Sequence, residues 1–441
     1  MEAKSKIVEI VEYRVVLVQP NSRAVWAVGA VDGNRLPRVT IPRWTRPAQQ
    51  LRKSIQTTWG AETVILDVFP ASDGSAYCVA AEMLGHAIPS GLRAVGLDEI
   101  AGSELLESEY SALLSILHGR GKNPFSRVGW INETVDWIET TTGHTISSSS
   151  QIEQLNAGGA FALLRFRTDD GHAYWLKATG SPNEHEFSVV AFLSELCPAS
   201  LPPLIAARKK WNAWLTEEAG APLPDSPTKE SLVSAAEDFT SLQLQTVDCA
   251  DVLLSAGAFD HRLSALSRHI DAITAYLIDA MARQSSTNVV PLSRKRLIEL
   301  AEILRETCFR MEGLGIPDVL IHNDLSVGNI LYDGVHCVFT DWSEAAIGNP
   351  FLSCDRLCQL NRDHRESVCA VYRRSWLSRL SDTSIGEAIT LMPLLAIYAY
   401  LYGRGDWFRG RESRPQVDSY MRSLARHMDR AAQDPALLEV L

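Results

Sequence analysis

The sequence predicts an α+β fold class, with a β-rich part and a larger, mostly helical part preceded by an N-terminal α+β domain. Strand-like apolar runs bounded by turn residues occur within residues 1–140 and again within 151–220. Residues 221–441 instead repeat apolar residues at helical spacings. At 441 residues the chain is also too long for one compact core, which favours two or three domains.

The first 140 residues alternate strands with one early helix. Four strand-like runs are separated by the turn segments 20–22 and 72–74, and they span residues 13–18, 24–28, 63–69 and 76–83. Between the two pairs, residues 48–59 have helical spacing and end at Gly60, a residue that commonly terminates helices. Residues 92–95 and 97–100 add a late strand and a turn that starts a helix.

This order resembles a Nudix hydrolase domain over about residues 10–115. The Nudix motif is Arg-Glu-aliphatic-x-Glu-Glu-x-Gly, and its glutamates bind a catalytic metal ion. Aligned on Gly60, the chain has Ser54, Thr57 and Thr58 where those glutamates would stand. Because neutral hydroxyls are poor substitutes for carboxylates on a hard cation, we expect no hydrolase activity. The alternative is an unrelated α+β domain; either domain is expected to fold alone and to serve packing, substrate enclosure or dimerisation.

A polar segment follows this domain. Residues 130–138 form a short amphipathic pattern, and its residues Trp130 and Trp137 are expected to pack against other parts of the protein. Residues 140–143 and the four serines 147–150 are polar and rich in residues that interrupt secondary structure. The sequence therefore predicts a linker over residues 141–150.

The most informative motif is His-Asn-Asp-Leu at residues 322–325, followed by Asn329 and Asp341. Phosphoryl transfer from ATP needs a carboxylate beside the attacking hydroxyl and ligands that hold Mg²⁺ on the phosphates. We assign the first role to Asp324 and the second to Asn329 and Asp341. Asp333-Gly334 predicts a tight two-residue hairpin turn that brings Asn329 and Asp341 to one ion. The alternative is a His-Asp pair on an ordinary loop.

The same stretch resembles the aminoglycoside phosphotransferase family over about residues 147–431. These kinase-like enzymes phosphorylate small-molecule hydroxyls, and their pattern is His-Gly-Asp-Leu, x-x-x-Asn, Ile-Asp-Trp or Ile-Asp-Phe, then Gly-x-Pro and a further Asp. Residues 348–350 and Asp355 match the tail, whereas Asn323 and Thr340 replace the usual Gly and Ile. The resemblance implies a bilobal protein-kinase-like fold, with a small lobe at 151–220, a helical lobe at 221–441 and a catalytic loop at 322–329 that contains the catalytic residues His322 and Asp324.

A kinase also needs a lysine on the donor phosphates and a glutamate that holds it. Lys177 is flanked by apolar residues on a predicted strand, which is typical of a phosphate-binding lysine. The alternative is a lysine on an edge strand that reaches water. Ser181-Pro182 predicts the start of the next helix, with Glu184 as its cap. Glu186 lies on the inward apolar stripe, where a carboxylate needs a positive partner, so we assign it to Lys177.

The resemblance also implies where the two substrates bind. Adenine would meet backbone groups of a hinge at Glu217, Glu218 and Ala219, which follow a predicted strand. The acceptor would bind in the helical part, where the candidate contacts are Asp355, Asp406, Trp407 and Glu412. A long core helix is predicted there from the apolar face of residues 297–311.

Composition and charge limit the binding partners and the cellular compartment that we expect for this protein. The net charge of −11 makes nucleic acid a poor partner. The apolar run at residues 388–402 is interrupted and too short for a membrane span, so a buried helix is expected. The start of the chain has no pattern typical of a secretory leader, and its eight cysteines form no Cys-x-x-Cys pair, which favours reduced thiols, a cytoplasmic location and no zinc site. Cys354 and Cys358 are one helical turn apart, but no further His or Cys pair near them in the sequence completes a metal set.

Together these patterns predict a phosphotransferase that uses ATP, or GTP as the alternative donor, and Mg²⁺ to phosphorylate a small-molecule hydroxyl. Aminoglycosides, sugars, amino alcohols and nucleosides all remain open as acceptors, as does the oligomeric state. One alternative is a protein kinase, although Asp341-Trp342-Ser343 leads directly to residues 348–350 with no activation segment. The other is a nucleotide-binding regulator, in which an inactive N-terminal domain is joined to a pseudokinase.

Overall fold

The computed structural model describes residues 9–20, 24–31, 33–43, 47–69, 76–85, 87–158, 160–403 and 415–441. The chain forms two compact units. The first contains Met1–Phe187 and Pro203–Glu218, and the second contains Ser188–Pro202 and Ala219–Leu441. Sheets dominate the first unit and helices the second, so the predicted α+β fold class is confirmed.

The first unit opens with a seven-stranded sheet. Its strands are β1 (Ile10–Val18), β2 (Val25–Ala30), β3 (Gly33–Arg35), β4 (Arg38–Pro42), β5 (Thr63–Phe69), β6 (Tyr77–Met83) and β7 (Arg93–Val95). Strand β1 pairs in parallel with β6 and antiparallel with β2 and β4. Alternate residues of β1 enter two different cores, as the two-residue period of a strand requires. The predicted strands are confirmed; the predicted turn residues 21, 22 and 72–74 lie outside the described residues.

Helices cover both faces of this sheet. Helix α1 (Pro47–Trp59) buries Ala48, Leu51, Ile55 and Trp59 in one core, and α2 (Glu107–Leu117) and α3 (Trp130–Thr142) contribute to the other. The predicted helix at 48–59 is therefore confirmed. No carboxylate occurs on α1. The resemblance to a Nudix domain stays a prediction.

A second sheet in the first unit has five strands in the order β11-β12-β10-β9-β8. They are β8 (Ile152–Asn156), β9 (Phe161–Arg167), β10 (Ala173–Thr179), β11 (Leu204–Arg208) and β12 (Ala213–Glu217), and helix α4 (Glu186–Leu196) lies between β10 and β11 in the sequence. All neighbouring strands pair antiparallel. Strand β10, which carries Lys177, is the central strand of this sheet.

One hydrophobic core joins the two sheets of the first unit. It contains Val16 of β1, Ile138 of α3 and Leu164 of β9 among its members. Trp130 and Trp137 of α3 both meet the ring of Trp211 edge-on, at centroid distances of 5.9 and 6.0 Å, and so pack as expected. Helix α3 also continues to Thr142, inside the predicted linker. The domain boundaries at 140 and 150 stay predictions, but the core is continuous across them.

A single glutamine side chain connects the two sheets by hydrogen bonds. Gln154 of β8 is 1% exposed. Its Nε2 donates to the Ile65 carbonyl at 2.8 Å, and its Oε1 accepts from the Ile65 N–H at 2.7 Å. The register of β5 and β6 shifts between Ile65 and Asp67. The amide of Gln154 therefore takes the place of a neighbouring strand at this irregularity.

We predict that Gln154→Ala destabilises the protein by about 2–4 kcal/mol, because it leaves the buried N–H and carbonyl of Ile65 without these partners. Urea unfolding of the full chain measures the loss. Gln56→Ala is the matched control, since Gln56 is an exposed residue of α1, and it should change stability by less than about 0.5 kcal/mol. Equal effects of the two substitutions would contradict the assigned role of Gln154.

The second unit is mostly helical. Its helices are α5 (Lys229–Gln245), α6 (Ala250–Ala256), α7 (Leu263–Arg268), α8 (Ile270–Ala282), α9 (Arg294–Gly313), α10 (Phe351–Leu360), α11 (Arg365–Trp376), α12 (Asp382–Gly403), α13 (Pro415–Ala431) and α14 (Pro435–Val440). Two three-stranded sheets, β13-β16-β17 and β14-β18-β15, lie among them. Their strands are β13 (Ala221–Pro222), β14 (Phe259–His261), β15 (Val319–His322), β16 (Ile330–Tyr332), β17 (Cys337–Phe339) and β18 (Ala345–Gly348).

The two helices singled out from the sequence are both present. Helix α9 buries Leu297, Leu300, Leu304 and Met311 on one face, as predicted. Among the residues that the structure describes, α12 is the one helix that is long and apolar enough to cross a membrane, and 50% of its most apolar window is buried in the protein. Its residues Leu391, Tyr398 and Leu401 are fully buried, as in a core helix.

Candidate active site

The predicted catalytic loop follows a fully buried strand. Strand β15 ends at His322 and pairs antiparallel with β18, so the loop starts from a fixed point in the core of the second unit. A 3₁₀ turn at Val327–Asn329 then leads into the hairpin of β16 and β17. Asp324, Asn329 and Asp341 are all partly exposed, whereas the strands that carry the loop are largely buried.

Asn329 is hydrogen-bonded directly to Asp324. The Asn329 Nδ2 donates to the Asp324 carbonyl at 2.8 Å and to its carboxylate Oδ2 at 3.1 Å. These two bonds fix the orientation of the Asn329 amide, because only its nitrogen can donate. The remaining polar atom of the side chain is the amide oxygen, the atom that a metal ion would use. The structure therefore brings together the predicted catalytic carboxylate and one predicted metal ligand.

The hairpin brings Asp341 to the same region. Thr340, the neighbour of Asp341, donates its N–H to the Asn329 carbonyl at 3.0 Å. The turn differs from the prediction by one residue: Asp333 N–H donates to the His336 carbonyl, which leaves Gly334 and Val335 at the tip. The Asp333 carboxylate accepts from the N–H groups of Val335 and His336, both at 2.8 Å, and this accounts for the shift. The backbone contact of Thr340 with Asn329 still places Asp341 next to the strand that follows Asn329, and the shared metal site stays a prediction.

Two features hold Asp341 in place. Its backbone lies in the left-handed region at φ 63°, which is uncommon outside glycine and most accessible to Asn and Asp. Its Oδ1 accepts a hydrogen bond from Ser343 Oγ at 2.9 Å. A strained backbone conformation beside reactive side chains is typical of functional sites.

His322 acts on this site by positioning. Its side chain is 1% exposed, and its Nε2 lies 2.9 Å from the Thr340 carbonyl. Since a carbonyl only accepts, Nε2 carries the proton of the neutral ring. Burial lowers the pKa of His322, so the ring remains neutral. His322 therefore holds the segment before Asp341, and its assignment as a catalytic residue stays a prediction.

The donor atoms at this site suit a hard divalent cation. They are the amide oxygen of Asn329 and the carboxylate of Asp341, next to the carboxylate of Asp324. Mg²⁺ prefers such oxygen ligands and is commonly held by one or two carboxylates together with substrate phosphates. The residues present therefore fit the predicted metal ion.

The predicted lysine–glutamate pair forms in the first unit. Lys177 Nζ lies 2.6 Å from Glu186 Oε1, and the two side chains are 11% and 1% exposed. The Lys177 ammonium also lies over the ring of Phe161 at 5.2 Å. Because β10 is the central strand of its sheet, the alternative of an edge-strand lysine that reaches water is wrong. A buried ion pair at this position is consistent with the assigned role of Lys177.

The predicted start of helix α4 is wrong. The helix begins at Glu186, and Glu184 is an exposed residue of the preceding turn that caps nothing. Two hydrogen bonds close this turn, from Asn183 N–H to the Gly180 carbonyl and from Glu186 N–H to the Asn183 carbonyl. The Glu184 carbonyl accepts from Asn212 Nδ2 at 3.0 Å. The segment before the helix is thus held by a residue distant in sequence.

We predict that Lys177→Met destabilises the protein by about 3–5 kcal/mol, because the buried Glu186 carboxylate loses its cation. It should also abolish phosphoryl transfer. A double variant, Lys177→Met with Glu186→Leu, separates the two effects: stability should recover and activity should not. Urea unfolding and a phosphoryl-transfer assay measure them. Recovery of activity along with stability would limit the pair to a structural role.

The predicted hinge residues coincide with the division between the compact units. The first unit ends at Glu218 and the second resumes at Ala219. The Glu218 carboxylate pairs with Arg165, at 2.6 Å from its Nη2, and Glu217 ends strand β12 as an exposed residue. At Gly220 the backbone has φ 98°, and a Cβ there would lie 2.8 Å from the Tyr332 carbonyl. Only glycine fits this position.

A second hydrogen bond near the loop involves Asn323, the residue that replaces the usual Gly of the family pattern. Its Nδ2 lies 3.4 Å from Nε2 of His261, a fully buried residue of β14. Burial lowers the pKa of His261 to about 4, so this neutral nitrogen can accept. A Cβ at Gly403 would lie 3.0 Å from the same ring. Asn323 is thus matched to a buried histidine, which no sequence spacing indicated.

A small cavity adjoins the catalytic loop. It is lined by residues of β15 with the loop, of α10 and of α12, namely Ile321, His322, Asn323, Leu352, Ser353, Arg356, Ala396, Ala399 and Tyr400. Ser353 Oγ accepts from the His322 N–H at 3.5 Å, so Ser353 contacts β15, the strand before the predicted catalytic loop. Asp355 instead pairs with Arg365 at 3.5 Å and is not among the lining residues. The other acceptor candidates, Asp406, Trp407 and Glu412, lie outside the described residues.

Comparison with known proteins gives a distant likeness of fold. No protein-family profile matches the chain, and no curated protein is similar to it in sequence. Among solved structures, a macrolide 2'-phosphotransferase from Brachybacterium faecium has 15% sequence identity and a TM-score of 0.42, over 69% of this chain and 98% of its own. A choline/ethanolamine kinase family protein from Mesorhizobium loti has 14% identity and a TM-score of 0.45, over 70% and 98%. A choline kinase from Cryptosporidium parvum has 13% identity and a TM-score of 0.46, over 70% and 95%. At these sequence identities and TM-scores, the likeness assigns no activity to the chain.

Proposed function

We propose that this protein is a Mg²⁺-dependent phosphotransferase that moves the γ-phosphate of ATP to a hydroxyl group of a small molecule. The observation that carries the proposal is the arrangement of Asp324, Asn329 and Asp341 on one loop and hairpin. The direct bond from Asn329 to the Asp324 carboxylate is the central contact. An aspartate with a left-handed backbone conformation beside other oxygen ligands is typical of a functional site.

Each residue has a specific task in this proposal. Asp324 orients the acceptor hydroxyl and takes its proton as the new phosphate ester forms. Asn329 and Asp341 hold Mg²⁺, which, when bound with ATP, neutralises charge on the phosphates. Lys177, fixed by Glu186, contacts the donor phosphates. Backbone groups of Glu217, Glu218 and Ala219 are proposed to hold the adenine, and a guanine base is tested as the alternative.

The acceptor is proposed to approach Asp324 from the helical part of the second unit. The cavity beside Asn323 and Ser353 is close to the loop and has apolar walls from Leu352 and Ala396 together with the polar Arg356. The cavity is too small to enclose an acceptor, so it would receive at most one small group of it. Amino alcohols, sugars, nucleosides and aminoglycosides are therefore all tested as acceptors.

The deciding experiment is a nucleotide-consumption assay across a panel of small hydroxyl compounds. The full-length protein is incubated with ATP or GTP, with and without Mg²⁺, and products are identified by mass. We expect one class of acceptor to gain a single phosphate only when Mg²⁺ is present. Lys177→Met and Asp324→Asn serve as inactive controls. Tight nucleotide binding with no transfer to any acceptor would instead favour the regulatory pseudokinase.

A further inference from the structure

A cluster of three cysteine thiols lies in the second unit, apart from the residues of the proposed transfer. Cys354 and Cys358 are one turn apart on α10, and Cys369 is on α11. Their Sγ atoms all lie within 4.8 Å of one another. No further His or Cys pair was expected near these two in the sequence, but the packing of α11 on α10 brings in one more thiol, that of Cys369, from 11 residues beyond Cys358.

The spacing of the sulfurs fits a metal ion. Cys358 Sγ and Cys369 Sγ are 3.8 Å apart. Thiolates bound tetrahedrally to zinc at about 2.3 Å are themselves separated by about 3.8 Å. A disulfide bond, by comparison, requires about 2.05 Å. The observed distances are thus close to those of a coordinated set, and small rotations about the side-chain bonds would complete it.

The surroundings of the thiols also favour a cation. Cys354 and Cys358 are 3% and 1% exposed, while Cys369 is partly exposed and offers a path for entry. Hydrogen bonds from Cys354 and Cys358 lower the pKa of the Cys369 thiol, whereas burial raises the pKa of the Cys354 thiol. Three thiolates around a divalent ion carry one net negative charge, which Arg365 would offset.

We propose that Cys354, Cys358 and Cys369 form a binding site for a thiophilic metal ion, for which Zn²⁺ is the probe. Binding forms three metal–sulfur bonds and releases three thiol protons to the solvent. Within the part of the chain that the structure describes, no fourth His, Cys or carboxylate belongs to this cluster, so a water molecule would complete the coordination of a bound ion. Soft thiolates select zinc or copper(I) and reject Mg²⁺.

A metal ion bound to the three thiols would link α10 to α11. The residue before Cys354 is Ser353, whose Oγ accepts a hydrogen bond from the N–H of His322, the last residue of β15. A metal ion here would therefore stabilise the helix that supports the catalytic loop. The proposal does not depend on the phosphotransferase activity, because metal binding and stability can be measured without any substrate.

The test uses reduced, metal-free, full-length protein with Mg²⁺ in excess. Equilibrium dialysis should give one tightly bound Zn²⁺ per chain, and Co²⁺ should produce the thiolate-to-cobalt charge-transfer absorption that only sulfur ligands give. The half-buried His144 and the exposed His172 and Asp170 could together hold Co²⁺ without this band. Cys369→Ser should weaken Zn²⁺ binding by at least about tenfold, since one of three Zn–S bonds is lost.

Cys308→Ala is the matched control, because Cys308 is a buried residue of α9 outside the cluster. It should retain the stoichiometry, the affinity and the cobalt band of the wild type. Zn²⁺ should also raise the unfolding temperature of the wild type and of Cys308→Ala, but not that of Cys369→Ser. A wild type that binds no Zn²⁺, or a Cys369→Ser variant with unchanged affinity and cobalt band, would overturn the proposal.

Discussion

Replacing Asp324 with asparagine is expected to abolish phosphoryl transfer while nucleotide binding stays close to that of the wild type. The carboxylate is assigned to the acceptor hydroxyl, and loss of a general base typically lowers the rate by roughly 10²–10⁴-fold. Asparagine keeps the size of the side chain. The bond from Asn329 to the Asp324 backbone carbonyl, at 2.8 Å, does not depend on the carboxylate and should hold the loop.

The rate is measured with an acceptor found in the panel, and binding is measured by titration with a non-hydrolysable nucleotide. Asp279→Asn is the control, since Asp279 is an exposed aspartate of α8 in the same unit and its neutralisation changes the net charge equally. It should leave both quantities unchanged. Wild-type turnover by Asp324→Asn would show that another group takes the proton.

The second large effect is expected at Asp341. Asp341→Asn should lower the Mg²⁺-dependent part of nucleotide affinity by at least about tenfold, or about 1.4 kcal/mol, because an anionic metal ligand becomes neutral. Asparagine is the informative choice because it tolerates the left-handed backbone observed at φ 63°. Alanine would add roughly 1–2 kcal/mol of backbone strain to the loss of charge.

Nucleotide titrations with and without Mg²⁺ measure this effect. Binding in the absence of Mg²⁺ should be little changed, and urea unfolding should show that Asp341→Asn is about as stable as the wild type. The Asp279→Asn variant again controls for net charge. If the Mg²⁺ dependence were the same in Asp341→Asn and the wild type, the metal site would have to lie elsewhere.

Contacts between residues that are close in sequence could be predicted for this site. Asp324 and Asn329 are five residues apart and are hydrogen-bonded, and the hairpin predicted near Asp333-Gly334 pairs Thr340, the neighbour of Asp341, with Asn329. The pairing of Lys177 with Glu186 followed from the helical spacing of the apolar residues after it and from the cost of a buried carboxylate. Both arguments depend only on the spacing of residues and on the cost of burying a charge, and both can be read from the sequence.

Contacts between distant residues could not be predicted in this way. Asn212 donates a hydrogen bond to the Glu184 carbonyl, 28 residues earlier in the chain. The helix start predicted at Ser181-Pro182 took no account of this contact. The bond between Asn323 and His261 joins residues 62 positions apart. The third thiol at Cys369 depends on how α11 packs on α10. Such pairs carry no periodicity or motif, and they appear only once the chain is folded.

The bond between Gln154 and Ile65 has a consequence for how this chain can diverge by recombination. An exchange that removed residues 1–140 would separate the Lys177-bearing sheet from the larger part of its core. It would also expose the ring of Trp211 to water, since Trp130 and Trp137 would be lost. A viable shorter descendant would need polar residues across that surface and a residue other than glutamine at position 154. We therefore expect the two sheets to be exchanged only together.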